Sequence, residues 1–191
     1  DRVNLVACSP AGTQVLTRSQ DNTARLWNAA TGQELHAFWG HTSKILSIAF
    51  STSGKQVLTE SYDGTVRVWE VATGRELRRF FGGKGKFSLD GKRVLTRSSD
   101  NTVRLWDIDT GLEVRRYIGH TDKITSVALS SDGEQVLASS SDKTTALWDV
   151  DTGRELRSLT GQTGGVNLVA FSPDGKQMIV SREDNSVWLW D

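Results

Sequence analysis

The sequence predicts an all-β fold in which one four-stranded antiparallel sheet recurs five times. Three observations carry that prediction. First, five tryptophans close near-identical strings: Trp27 in NTARLWN, Trp69 in GTVRVWE, Trp106 in NTVRLWD, Trp148 in KTTALWD and Trp190 in NSVWLWD. Their spacings are 42, 37, 42 and 42 residues. Second, an aspartate stands six residues before each of them, at Asp21, Asp63, Asp100, Asp142 and Asp184. Third, four of the five are followed by Thr-Gly-x-Glu, at Thr31-Gly32, Thr73-Gly74, Thr110-Gly111 and Thr152-Gly153. A glycine then opens the next copy, at Gly40-His41, Gly82-Gly83, Gly119-His120 and Gly161-Gln162. No segment longer than a turn carries helical periodicity.

Each element of the repeat has a local reason. ILSIAF and VNLVAF are short apolar runs suited to a buried innermost strand. The SPDG and SSDG strings supply the next turn. KQVLTES and TVRVWE read as a second and third strand separated by YDG. An Asp-Gly or Asp-Asn pair between two apolar runs predicts a hairpin turn, with both residues tolerating positive φ. TGRELRRF supplies a further turn and the outer strand. A period of about 40–45 residues holding four strand-like pieces is that of a propeller blade. Such sheets stack around a channel, each burying a face that its neighbour exposes. Residues 1–191 therefore read as a single propeller or propeller segment, with repeats at approximately 1–39, 40–81, 82–118, 119–160 and 161–191.

Two irregularities stand out. The chain opens at DRVNLVACSP, an innermost strand, and closes at VWLWD, a third strand with no outer strand after it. Five innermost slots thus meet four outer strands. The expectation is an excerpt of a longer propeller, with a complete five-repeat unit, closed imperfectly or by assembly, as the alternative. The third repeat is five residues shorter between Gly83 and Phe87 than the second is between His41 and Phe50. What remains, with Gly82, Gly83 and Gly85 beside Lys84 and Lys86, has little apolar surface and a high backbone entropy cost. A degenerating repeat is the plain reading; a channel widened and lined by the two lysines is the functional one.

Composition narrows the function. Lys plus Arg and Asp plus Glu balance at 23 each, which disfavours a nucleic-acid binder with a basic excess. No apolar run approaches the ~20 residues of a membrane helix. The lone Cys8 excludes an intrachain disulfide framework, and three histidines with one cysteine leave few ligands for zinc. No metal and no cofactor are expected, and a cytoplasmic location is.

Taken in phase, the Gly-His lead-in, the apolar strand, SPDG, the turn aspartate and the final Trp-Asp resemble the WD-repeat β-propeller family over nearly the whole chain. SPDGKQ and TGRELR are similar to bacterial multidomain members. The resemblance implies a hydrogen-bonded tetrad inside each blade, made of histidine, serine or threonine, aspartate and tryptophan. By position this gives His41, Ser61 (or Thr59), Asp63 and Trp69 in the second repeat, and His120, Ser140, Asp142 and Trp148 in the fourth. Gly83 and Gln162 replace the histidine in the third and fifth. A Ser–His–Asp set invites comparison with a hydrolase triad. A set that recurs from blade to blade and is capped by an indole is instead a structural lock.

Catalysis at a channel mouth calls for carboxylates where the inner strands begin, and a glycosidase needs a pair roughly 5–10 Å apart. The residues there include Arg2, Lys44 and Lys123, and none of the set is acidic. The chain is therefore expected not to be an enzyme. The same residues, with the remnant Lys84 and Lys86 and the aromatic Tyr62, suggest a rim that docks a protein or peptide of acidic character. Trp39 and Trp188 are extra to the pattern. The function expected is a non-catalytic interaction scaffold, or a sensor module of a larger protein. The alternative is an excerpted or engineered propeller fragment with no evolved ligand. The open edge of SVWLWD further invites self-association.

Overall fold

A computed structural model describes residues 3–159 and 165–190. The first sheet holds β1 (Val3–Cys8), β2 (Gln14–Ser19), β3 (Ala24–Asn28) and β4 (Glu34–Phe38). The second holds β5 (Ile45–Phe50), β6 (Gln56–Ser61), β7 (Thr65–Glu70) and β8 (Glu76–Phe81). The third holds β9 (Lys84–Phe87), β10 (Arg93–Arg97), β11 (Val103–Asp107) and β12 (Glu113–Tyr117). The fourth holds β13 (Ile124–Leu129), β14 (Gln135–Ser140), β15 (Thr145–Asp149) and β16 (Glu155–Leu159). The fifth has three strands, β17 (Val166–Phe171), β18 (Met178–Arg182) and β19 (Val187–Trp190). Strands follow chain order within every sheet, and no helix occurs among the described residues. The four-stranded blades, the incomplete last sheet and the shortened strand of the third repeat are as the repeat pattern predicts.

The chain divides into two compact units, Asp1–Lys92 with Ile108–Gly111, and Arg93–Asp107 with Leu112–Asp191. In the first, Leu16, Ala24, Leu26 and Phe38 pack against Ile45, Ile48, Val57, Trp69 and Val71. Alternation along the strands puts the first group on one face of its sheet and the second group on the opposite face of the next. We call these the forward and rear faces. Phe38 and Trp69 meet with ring centroids 5.4 Å apart. The second unit repeats this packing twice. Leu95, Val103, Leu105 and Tyr117 meet Ile124, Val127, Val136 and Trp148. Ala128, Leu137 and Leu147 then meet Val166, Val169 and Met178.

Polar stitches run beside the apolar contacts. Arg18 donates to the carbonyls of Ile45 and Leu46 at 2.8 and 3.0 Å, and Arg97 donates to that of Ile124 at 3.0 Å. The corresponding residue of the second sheet is Glu60, buried, and its Oε1 accepts the Gly85 N–H at 2.8 Å. Gly85 stands where Ile48 stands in the second repeat. With no side chain there, the carboxylate reaches the backbone of β9 directly. The four-residue β9 is thus held by a charge-assisted hydrogen bond in place of an apolar knob.

The hairpin turns differ from expectation in one respect. Only the residue after the aspartate has positive φ: Asn22 (66°), Gly64 (79°), Asn101 (63°), Lys143 (68°) and Asn185 (66°). The aspartate has another task. Its Oδ1 accepts the N–H two residues on, from Thr23 at 3.0 Å, Thr65 at 2.9 Å, Thr144 at 2.9 Å and Ser186 at 2.9 Å. That closure needs an ordinary backbone at the aspartate and leaves the next residue to turn the chain.

Lys143 is the one member of this set that is neither Gly nor Asn. A left-handed conformation costs a side-chain-bearing residue roughly 1–2 kcal/mol. Lys143→Gly is expected to raise stability by about 1 kcal/mol after the added unfolded-state entropy is offset. Urea unfolding reads this directly, as a higher midpoint at unchanged slope.

Candidate functional site

Asp63, His41, Thr59 and Trp69 form a continuous chain of hydrogen bonds. His41 Nδ1 lies 2.8 Å from Asp63 Oδ2, and His41 Nε2 lies 2.7 Å from Thr59 Oγ1. The Trp69 indole N–H donates to Thr59 Oγ1 at 2.9 Å. The carboxylate must accept, so Nδ1 carries the proton and Nε2 accepts from the threonine hydroxyl. A hydroxyl suits this position because it donates and accepts at once. Ser61 is not the tetrad hydroxyl. Its Oγ donates to the Ser43 carbonyl at 2.9 Å and accepts the Asp63 N–H at 3.1 Å, so it braces the turn from the other side. Side chains two residues apart on β6 point the same way, but Ser61 sits where the strand ends and Thr59 lies beneath the histidine.

In the fourth repeat, His120 Nδ1 lies 3.0 Å from Asp142 Oδ2. Ser140 again braces the turn, donating to the Asp122 carbonyl at 2.8 Å and accepting the Asp142 N–H at 3.1 Å. Ala138 stands where Thr59 stands, so His120 Nε2 faces the Ala138 carbonyl at 3.3 Å. The tryptophan link follows one rule: the residue ten before the indole must carry a hydroxyl. Trp27 donates to Thr17 at 2.8 Å and Trp106 to Thr96 at 2.9 Å. In the fifth repeat that residue is Val180, and Trp190 Nε1 is buried without a partner among the described residues. The sequence carried this signal in the Val-Leu-Thr strings at 15–17, 57–59 and 94–96.

Asp63 accepts from four donors: the Thr65 hydroxyl at 2.6 Å, the Thr65 N–H, His41 and the Thr42 N–H at 3.1 Å. Burial works to raise its pKa, but these hydrogen bonds outweigh it and hold the carboxyl well below its usual range. Asp142 shows the same balance, led by burial and then reversed by Thr144 and Thr121, and titrates at about 2. Burial lowers the His41 pKa, against the opposing pull of Asp63. A carboxylate with all its acceptor sites filled and a buried threonine capped by an indole do not make a nucleophile.

An arginine reinforces the first three turns. Arg67 lies buried between Asp63 Oδ2 at 3.8 Å and Glu76 Oε2 at 2.8 Å. Arg25 spans Asp21 and Glu34, and Arg104 spans Asp100 and Glu113. Gly40 has a φ of 142°, which side-chain-bearing residues rarely adopt, and a Cβ there would also fall 2.2 Å from Arg67 Nη1. Ala146 and Trp188 take the arginine position in the last two repeats. Trp188 is flanked instead by the Arg182 guanidinium, 4.8 Å from its ring centroid.

The rim residues separate into groups. Tyr62 donates its N–H to the Lys44 carbonyl at 3.0 Å, so these two exposed residues sit side by side. Gly82 donates to the Gly64 carbonyl at 2.9 Å, which carries Phe81 to the same turn. Thr42 donates its N–H to Asp63 Oδ2 at 3.1 Å, which ties the lead-in segment to the same turn. Tyr62 and Phe81 are 67% and 70% exposed, so two aromatics flank this turn, while Trp39, 64% exposed, directly follows the outer strand of the first sheet. Sequence reasoning overlooked Phe81; its signal was an aromatic immediately before the lead-in glycine, at 39 and again at 81. Lys84 and Lys86 are exposed on either side of Gly85. Counted back from Phe87-Ser88, they occupy the positions of Ser47 and Ala49, within the body of the inner strand and not at its start. Lys123 is exposed in the second unit, where its carbonyl accepts the Ser141 N–H at 2.9 Å. Ser141 thus replaces Tyr62 there. Arg2 lies outside the described residues, as does Gln162.

Comparison with known proteins places these features in context. The family model described as "WD domain, G-beta repeat" matches residues 1–28, 32–70, 85–107, 111–149 and 153–191. The chain is similar to "Dynein assembly factor with WD repeat domains 1" of Mus musculus, 42% identical over 45 residues. The proteins of that name from Rattus norvegicus and Danio rerio are 42% and 40% identical over the same length. The match spans 24% of this chain and 11% of the mouse protein.

Two outcomes follow for the lock. Thr59→Val keeps the volume but strands the buried His41 nitrogen and the Trp69 indole, and is expected to cost about 1–3 kcal/mol. Ser61→Ala should cost less, and equal urea midpoints for the two variants would contradict the assignment of Thr59. The second outcome concerns pH. A carboxyl held below its unfolded value near 3.9 contributes stability above that value and loses it as pH falls toward the folded pKa. Acid unfolding should therefore steepen below about pH 4, and Asp63→Asn, already weaker at neutral pH, should show a shallower acid slope.

Proposed function

The chain belongs to the WD-repeat family, and we propose that it serves as a non-catalytic cytoplasmic module binding a protein or peptide at the rim around Lys44 and Tyr62. The observation that carries this reading is the exposure of Tyr62 and Phe81 around one rigid turn, beside the exposed Lys44. Exposed aromatics on a pre-organised backbone are suited to be binding anchors, since ordering them costs little entropy. The lysine adds a preference for an acidic segment and a salt-sensitive association rate. The mouse, rat and zebrafish relatives are by name assembly factors, which agrees with a scaffold role. The reading extends to residues 1–191 as one propeller segment within a larger assembly.

A second reading concerns self-association. The outer side of β19 carries no further strand among the described residues, and Val187 and Leu189 on it are exposed. Such an edge invites pairing with another chain.

The test is a titration with fluorescent peptides that combine Asp or Glu with Leu or Phe, alongside twins carrying Lys for the acids. The acidic peptides should bind the wild-type chain faster at low salt. Lys44→Glu combined with Tyr62→Ala should weaken binding about tenfold or more. Equal binding of acidic and basic peptides, or indifference to the double change, would overturn the rim. Binding of no peptide at all would favour the excerpt without an evolved ligand.

A further inference from the structure

Within each unit the sheets pack in one repeated manner, forward face on rear face, and among the described residues the rear face of the first sheet and the forward face of the fifth carry no such cover. On the rear face of the first sheet, Val3 and Val6 take the places of Ile45 and Ile48, of Ile124 and Val127, and of Val166 and Val169. Those counterparts are at most 6% exposed, whereas Val3 and Val6 are 49% and 57% exposed. On the forward face of the fifth sheet, Val187 and Leu189 take the places of Ala24 and Leu26, of Val66 and Val68, and of Val103 and Leu105. Every one of those counterparts is 0% exposed, whereas Val187 and Leu189 are 66% and 59% exposed. Both faces are thus apolar at the positions that the covered sheets bury.

We propose that these two faces bind each other between copies of this chain, the forward face of the fifth sheet in one copy stacking on the rear face of the first sheet in another. The proposal rests on the reading that the chain associates with itself, and replaces edge pairing with face stacking. The occupant is identified by the packing already present. Within the first unit, a leucine-and-alanine forward face is covered by a β-branched rear face with a tryptophan. Within the second unit the same two classes of face meet twice. Val3, Val6, Val15 and Trp27 reproduce the rear-face set Ile45, Ile48, Val57 and Trp69. Ala170, Ile179 and Leu189 reproduce the forward-face set Ala7, Leu16 and Leu26. A second copy carries the counterpart of each exposed face, with the residue types that fill the interface elsewhere. Burial of these side chains supplies the driving force. Because the two surfaces differ, the contact is heterologous, and each copy retains one free face for the next.

The head-to-tail geometry makes a prediction that edge pairing does not. Val6→Asp spoils the rear face and spares the forward one; Leu189→Asp does the reverse. Both positions are exposed, so both variants should keep the wild-type far-UV spectrum. Sedimentation equilibrium should show the wild-type chain growing in mass with concentration, and each variant alone weakened at least tenfold. Mixing the two variants should restore pairing, through the intact face of each, but stop at two copies. A second readout uses the lone, exposed Cys8. It stands where Phe50 stands, and Phe50 packs in the same cluster as Ala7, the counterpart of Ala170. A chain with Cys8→Ser and Ala170→Cys, oxidised together with the wild-type chain, should give a two-chain disulfide product that neither gives alone. Association untouched by both aspartate changes would overturn face stacking and leave self-association standing. A monomer at all concentrations would overturn both. A chain carrying Cys8 and Ala170→Cys that cross-links at the mass of one chain would overturn the second copy as occupant. Lys44→Glu should leave every one of these results unchanged, which separates them from the rim.

Discussion

Every sheet of this chain has two apolar faces, and that constraint governs the rest of the structure. A sheet with one apolar face can leave the other in water. A sheet with Leu16, Ala24 and Leu26 on one side and Val6, Val15 and Trp27 on the other cannot bury both without a neighbour on each side. The repeat is the consequence. Successive copies supply complementary faces at fixed positions, and in both units the interfaces use the same positions. Most of the fully buried large side chains, among them Trp148, Tyr117, Phe38 and Leu105, lie in these interfaces.

Polar groups are arranged to serve that packing. The tryptophan of the third strand is needed for its area, but its indole N–H must be satisfied once buried. Thr17, Thr59 and Thr96 meet that need within the same sheet. In the second sheet the threonine passes the connection on to His41 and Asp63, which ties the lead-in glycine, the turn and the core into one network. Arg67 then spans the turn aspartate and the outer strand. The network weakens along the chain: Ala138 removes the threonine, Ala146 the arginine, and Val180 leaves the Trp190 indole unpaired among the described residues. Among the described residues the second repeat is the most completely bonded, and it also bears the exposed Tyr62 and Phe81. A turn held on every side can display Tyr62 and Phe81 with little loss of order.

The third repeat shows how a deletion is absorbed. Loss of the apolar inner-strand residues would leave a gap over the second sheet. Glu60, at a position filled by arginine in the first and third sheets, turns its carboxylate to the Gly85 N–H. A buried carboxylate is costly without donors, and the backbone of a glycine strand provides one at close range. The change from Arg to Glu and the change from Ile to Gly are therefore one adaptation, although they lie 25 residues apart.

The sequence by itself determined the all-β class, the number of repeats, the missing outer strand and the shortened third copy. It did so because strand periodicity, turn residues and repeat spacing are local properties, readable without knowing what touches what. The aspartate and histidine of the lock were legible for the same reason, since their spacing recurs. What only the tertiary structure decided was which hydroxyl completes the lock. Ser61 and Thr59 are equally available in sequence, and only the depth of each along β6 separates a turn brace from an indole acceptor. The role of Glu60, the arginine clamps and the placing of Phe81 beside the Tyr62 turn were likewise decided by strand register and sheet stacking. These bring together residues far apart in the chain, and no local pattern records that distance.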